Sequence, residues 1–123
     1  MTTNYVLDKA GNPVPEPDLM KWANWYKKSG QDRIIAKTKI NPSPTGNFAK
    51  FFHFLLGIEV EDVGVSTVFL SIDHNYSDEG LPLLYETMVF GGKYDGEMWR
   101  YSTRTEAEAG HDQAVALVKE DKG

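Results

Sequence analysis

Three stretches between residues 63 and 102 have the composition of strands, and no helical stretch separates them. Residues 63–72 (VGVSTVFLSI) are rich in β-branched side chains and apolar on both parities, which predicts a central strand at least partly covered on both faces. Residues 83–90 (LLYETMVF) predict a second strand, reached through the polar loop 73–82. A loop of that length makes a hairpin more readily than a crossover. Residues 91–96 (GGKYDG) then turn the chain into a third strand over 97–102. Parallel neighbours would need a crossover helix between them, so the pattern predicts an antiparallel sheet and the α+β class.

The flanking segments supply the rest of the sheet and its cover. Tyr5, Val6 and Leu7 read as a short extended piece running into a turn over 8–13. Residues 15–18 (PEPD) read as a helix start, and the helix that follows carries Leu19, Trp22, Ala23 and Tyr26 on one apolar stripe, with Gly30 available to stop it. Residues 33–40 predict a half-buried strand in which Ala36, Thr38 and Ile40 alternate with Lys37 and Lys39. Pro42 and Pro44 end it. Residues 47–56 (NFAKFFHFLL) predict a short helix striped by Phe48, Phe51, Phe52 and Leu55, with Phe54 and Leu56 on other faces. A helix so apolar either caps the core or offers Phe48, Phe51, Phe52 and Phe54 to a protein partner. Residues 103–106 (TRTE) fit a capping box opening the last helix, whose inward stripe is Ala107, His111, Ala114, Val115 and Val118. The expected architecture is one domain over residues 1–123. An antiparallel sheet of about four strands carries N- and C-terminal helices, with the aromatic helix inserted within 41–62 and a frayed tail at 119–123.

Composition narrows the chemistry. None of the 123 residues is cysteine, which removes thiol nucleophiles, disulfide scaffolds and cysteine-ligated metals. Thirteen Lys and Arg against 18 Asp and Glu give a net charge of −5, the wrong sign for a partner made of phosphates, so no nucleic acid is expected. The N-terminus has neither the basic start nor the apolar run of a secretory leader. The densest apolar stretch, 48–58, is interrupted by Lys50 and His53 and falls short of the ~20 residues that span a bilayer, so no membrane association is expected.

Three places hold groups able to do chemistry. Asp73 and His74 end the most apolar strand, where a rigid element would hold them within reach of solvent, although Asp73 and Asn75 equally suit loop capping. Glu86 shares a parity with Leu84, Met88 and Phe90, which calls for an ion pair with Arg100 or Arg104, a raised pKa, or a place at the sheet edge. His111 lies on the inward stripe just after Gly110, a residue that costs about 1 kcal/mol inside a helix and so implies close approach to the sheet. It reads as a core histidine or as part of a site. If Asp73 or His74, Glu86 and His111 converge, they make an acid–base cluster or a divalent-metal site. No spacing matches a metal motif, however, and no cofactor is expected.

The strings VSTVFLSIDHN (65–75), LYETMVFGG (84–92), RYST (100–103) and EAEAGH (106–111) resemble a family of small proteins encoded by tailed bacteriophages and prophages. The opening, from Val6 to Trp22, is similar too. The resemblance covers most of the chain apart from 41–62, where the relatives have a shorter connection. It brings no particular activity. It implies a phage accessory role in the bacterial host cytoplasm, and it places Asp73, His74, Glu86 and His111 within the shared motifs. Small size, acidity and the aromatic helix favour a non-enzymatic protein that binds a host or phage protein, for instance to blunt a host defence. The alternative is a small metal-assisted or His/Glu acid–base hydrolase.

Overall fold

Alternation of buried and half-buried residues along the central strand places the core on one face of the sheet. The computed structural model describes residues 3–40, 63–75 and 79–120. In chain order these form β1 (Tyr5–Leu7), β2 (Pro13–Pro15), α1 (Leu19–Lys28), β3 (Ile34–Ile40), β4 (Val63–Phe69), β5 (Tyr85–Phe90), β6 (Met98–Tyr101) and α2 (Arg104–Glu120). Strands β3 to β6 make an antiparallel sheet in sequence order, and β1 with β2 makes a separate hairpin. The α+β class with terminal helices is as the sequence predicts. The aromatic segment 47–56, with Phe48, Phe51, Phe52 and Phe54, lies outside the described residues.

The hairpin strand β2 departs from expectation, because Pro13 and Pro15 read as turn and helix start. Asp8 N donates to Asn12 O, and Glu16 N to Asn4 O, each at 2.9 Å. Those paired positions put both prolines where the ladder needs no N–H, so the usual objection to proline in a strand does not apply. The turn is closed by Asp8 Oδ1, which accepts from Ala10 N and Asn12 N, and by Gly11 at φ 85°. At its other end the hairpin joins the sheet: Tyr5 N donates to Ser71 O, and Asp73 N to Thr3 O, both at 2.8 Å.

Helix α1 starts at Asp18, whose Oδ1 accepts from Met20 N and Lys21 N, a cap worth about 1 kcal/mol. Of the predicted stripe Trp22 is half-buried, but Leu19, Ala23 and Tyr26 are exposed. The two indoles set the rotation instead. Trp22 Nε1 donates to both Tyr5 O and Ser71 O at 3.1 Å, and Trp25 meets Phe69 edge-on with ring centres 6.0 Å apart. A buried indole N–H needs an acceptor, and these rings cover more area than Leu19 would.

In the main sheet β4 buries Val63, Val65, Thr67 and Phe69, and β5 buries Tyr85, Thr87 and Val89. A bulge between Ile34 and Ala36 lets the extra residue, Ile35, join the inner cluster. Helix α2 closes this face with Ala107, His111 and Ala114, as the stripe predicts, and with Gly110, while Val115 and Val118 are partly buried against it. Its start is held by Thr103, whose Oγ1 accepts from Glu106 N and donates to Glu106 Oε1. The core falls into two apolar clusters. Val65, Val89 and Ala114 belong to one; Phe69, Tyr85 and Ala107 belong to the other.

The expected close approach at Gly110 is present. A Cβ there would overlap Oη, Cζ and Cε1 of Tyr101 on β6. Gly110→Ala should therefore lower stability by about 2 kcal/mol through overpacking, although alanine in an open helix would add about 1 kcal/mol. Chemical denaturation of Gly110→Ala, Tyr101→Ala and the double variant checks this, with the Gly110 penalty expected to vanish once Tyr101 is truncated.

Candidate functional site

The two apolar clusters are separated by polar side chains, one from each element. Thr67 lies between Val65 and Phe69 on β4, Thr87 between Tyr85 and Val89 on β5, and His111 between Ala107 and Ala114 on α2. His111 is 4% exposed. Its Nδ1 bonds Thr67 Oγ1 at 2.8 Å and its Nε2 bonds Thr38 Oγ1 at 2.8 Å, while Thr67 Oγ1 bonds Thr87 Oγ1 at 2.6 Å. Thr67 and Thr87 are direct cross-strand partners. The result is a continuous chain, Thr38–His111–Thr67–Thr87, beneath α2 and across β3, β4 and β5.

Burial holds the His111 pKa below its ordinary 6.5, and the nearby Asp112 only partly opposes this. A neutral imidazole carries one N–H and one bare nitrogen. Either tautomer satisfies the chain: the hydroxyl protons simply point one way along it or the other. Both nitrogens are engaged with threonines, so neither is presented to a substrate.

The other candidate residues stand elsewhere. Glu86 lies on the opposite face of the sheet, its Oε2 receiving Arg100 Nε at 3.0 Å from the residue directly across on β6. The expected alignment of Glu86 with Leu84 is corrected: regular alternation begins at Tyr85, and Leu84, just before it, is buried in the inner cluster. Asp73 and His74 lie beyond the end of β4. Asp73 Oδ1 accepts from Asn75 N at 2.8 Å and Leu83 N at 2.9 Å, which makes it a loop cap. His74 Nδ1 donates to Ile72 O at 2.8 Å. Glu86 and His111 thus occupy opposite faces, and a shared hollow is not formed. Among the described residues no three His, Asp or Glu side chains group closely enough to hold a metal ion.

The threonines are the members of this constellation that sequence reasoning did not single out. The signal was available, since Thr38, Thr67 and Thr87 all sit at inward parities facing a helix with one inward histidine. Two further hydroxyls, Ser71 Oγ and Tyr85 Oη, are buried with no hydrogen-bond partner among the described residues. Burial also pushes the Tyr85 phenol up, against the lowering influence of Arg104. Ser71 adopts φ 70°, a rare conformation for a residue with a side chain, and its carbonyl receives both Tyr5 N and the Trp22 indole.

No family model, curated protein or solved structure matches the chain. Among the described residues no helix is long and apolar enough to cross a membrane.

His111→Ala should lower stability by about 3 kcal/mol, because it opens a cavity and strips partners from buried hydroxyls. Because the folded pKa is depressed, the histidine's contribution is complete above about pH 6.5 and declines as pH falls from there toward the lower folded value. Thermal melts from pH 8 to pH 5 should show this acid-side loss in the wild type, and a shallower one in His111→Gln. Tyr85→Phe removes a hydroxyl with no partner among the described residues and should be neutral or stabilising by up to about 1 kcal/mol in denaturant titrations.

Proposed function

We propose that this is a non-enzymatic bacteriophage accessory protein that works in the bacterial host cytoplasm by binding another protein, of host or phage origin. The phage assignment rests on the resemblance carried by residues 65–75, 84–92, 100–103 and 106–111. The binding mode is supported by one observation: the face of the sheet turned away from α2. Three cross-strand rows lie on it, namely Lys39–Gly64–Phe90, Lys37–Ser66–Met88–Met98, and Ile34–Val68–Glu86–Arg100. Phe90 is 50% exposed and Met98 45% exposed, and Ile34 is exposed as well. No described helix packs on this face. Exposed apolar groups gathered on one sheet face, with an ion pair at one margin, have the make-up of a protein-contact surface. Blunting a host defence is one form such binding would take.

The hydrolase alternative has less support, since both nitrogens of His111 are engaged in the core and Glu86 is paired with Arg100 on the other face. The test is affinity capture from phage-infected cells, using wild type and a Phe90→Asp/Met98→Lys variant as baits. Both exposed substitutions should leave stability within about 1 kcal/mol. One protein should be captured in near-stoichiometric amount by the wild type and lost with the variant. Equal capture by both would remove this face from the reading.

A further inference from the structure

The two edges of the main sheet are built differently. β3 carries familiar devices against unwanted strand pairing: a bulge between Ile34 and Ala36, and Lys37 and Lys39 along its length. β6, at the other edge, has no bulge, no lysine and no proline, and its one charged side chain, Arg100, is turned onto Glu86 of β5. Among the described residues no strand pairs with the far side of β6. Backbone alternation fixes which groups are left there. Val89 N donates to Glu97 O and Leu84 N to Tyr101 O, so Glu97, Trp99 and Tyr101 turn their main-chain groups toward β5. Met98 and Arg100 therefore present N–H and C=O outward. Between this edge strand and α2 lies a hollow of about 230 Å³, lined by the half-buried Trp99, Tyr101 and Leu117 and the exposed Gln113.

We propose that β6 pairs with β6 of a second copy of this chain, antiparallel about a two-fold axis at Trp99, joining two four-stranded sheets into one. This goes beyond the protein-binding reading, which concerns the outer face and does not depend on it. Self-complementarity selects the occupant. In this register Met98 of each copy faces Arg100 of the other, which makes two hydrogen-bonded pairs from the outward groups of both strands. Arg100 keeps Glu86 beside it and meets no like charge. An axis at Arg100 would set the two guanidinium groups against each other, a destabilising pairing. An axis at Met98 would leave Arg100 opposite Gly96, in the turn before the strand. With the axis at Trp99, the two indoles meet on the inner side, each lining its own hollow, and add the apolar contact that a four-residue strand lacks.

The absence of native cysteine makes the register testable. Met98→Cys and Arg100→Cys, mixed and oxidised, should form a disulfide-linked dimer between the two variants, because Cα atoms across a hydrogen-bonded pair lie about 5.5 Å apart. Either variant alone should cross-link about tenfold more slowly, since like positions sit diagonally across the axis. In sedimentation the wild type should shift from monomer toward dimer between about 10 and 500 µM. Arg100→Pro removes an outward N–H that the fold does not use, so it should stay monomeric with its far-UV spectrum intact. Arg100→Ala loses only the side chain and should still dimerise. A wild type that remains monomeric across that range would overturn the proposal and return the edge to the chain's own residues 41–62 or to a different protein. Equal cross-linking in mixed and unmixed samples would overturn it too, as would a folded Arg100→Pro that dimerises like the wild type. If Arg100→Pro does not fold, the cross-linking pattern decides.

Discussion

One imidazole ties the terminal helix to three strands. His111 reaches from α2 to Thr38 on β3 and Thr67 on β4, and Thr67 passes the connection to Thr87 on β5. Apolar clusters on either side could pack in more than one register, because hydrophobic contact has no direction. A buried hydrogen-bond chain does have direction, since each unmade bond in a low-dielectric interior costs about 1–3 kcal/mol. The chain therefore sets where α2 lies along the sheet. Gly110 and Tyr101 reinforce the same placement by steric fit, one residue away on the helix.

The N-terminal hairpin and α1 depend on a different junction. Ser71 turns the chain out of the sheet through a left-handed conformation, and its carbonyl gathers the Tyr5 amide and the Trp22 indole. Trp25 then leans on Phe69, which in turn packs against Tyr85. Residues far apart in the chain thus converge on the end of β4, and the hairpin becomes an extension of the core rather than an appendage.

The two faces of the sheet consequently differ in make-up. The inner face holds the buried polar chain, and its titratable group is kept neutral and fully bonded. The outer face holds the Glu86–Arg100 pair, the exposed Phe90 and Met98, and the bare backbone at Gly64.

Much of the fold was legible in local pattern. Alternation along 33–40, the β-branched composition of 63–69, turn chemistry at 91–96, the capping pair Thr103 and Glu106, and the inward stripe of the last helix are short-range properties that the sequence registers directly, whereas the one-sided burial of β4 was not among them. Strand β2 and the true face of α1 were not legible. Both depend on partners distant in sequence: the ladder offset that suits Pro13 and Pro15, and the carbonyls that fix Trp22. The candidate site divides in the same way. The sequence determined that His111 points inward and that Glu86 sits at an alternating position. Only the tertiary structure decided which face each one joins, because the parity at which a strand begins, and the partner that each polar atom finds, are settled by packing between elements.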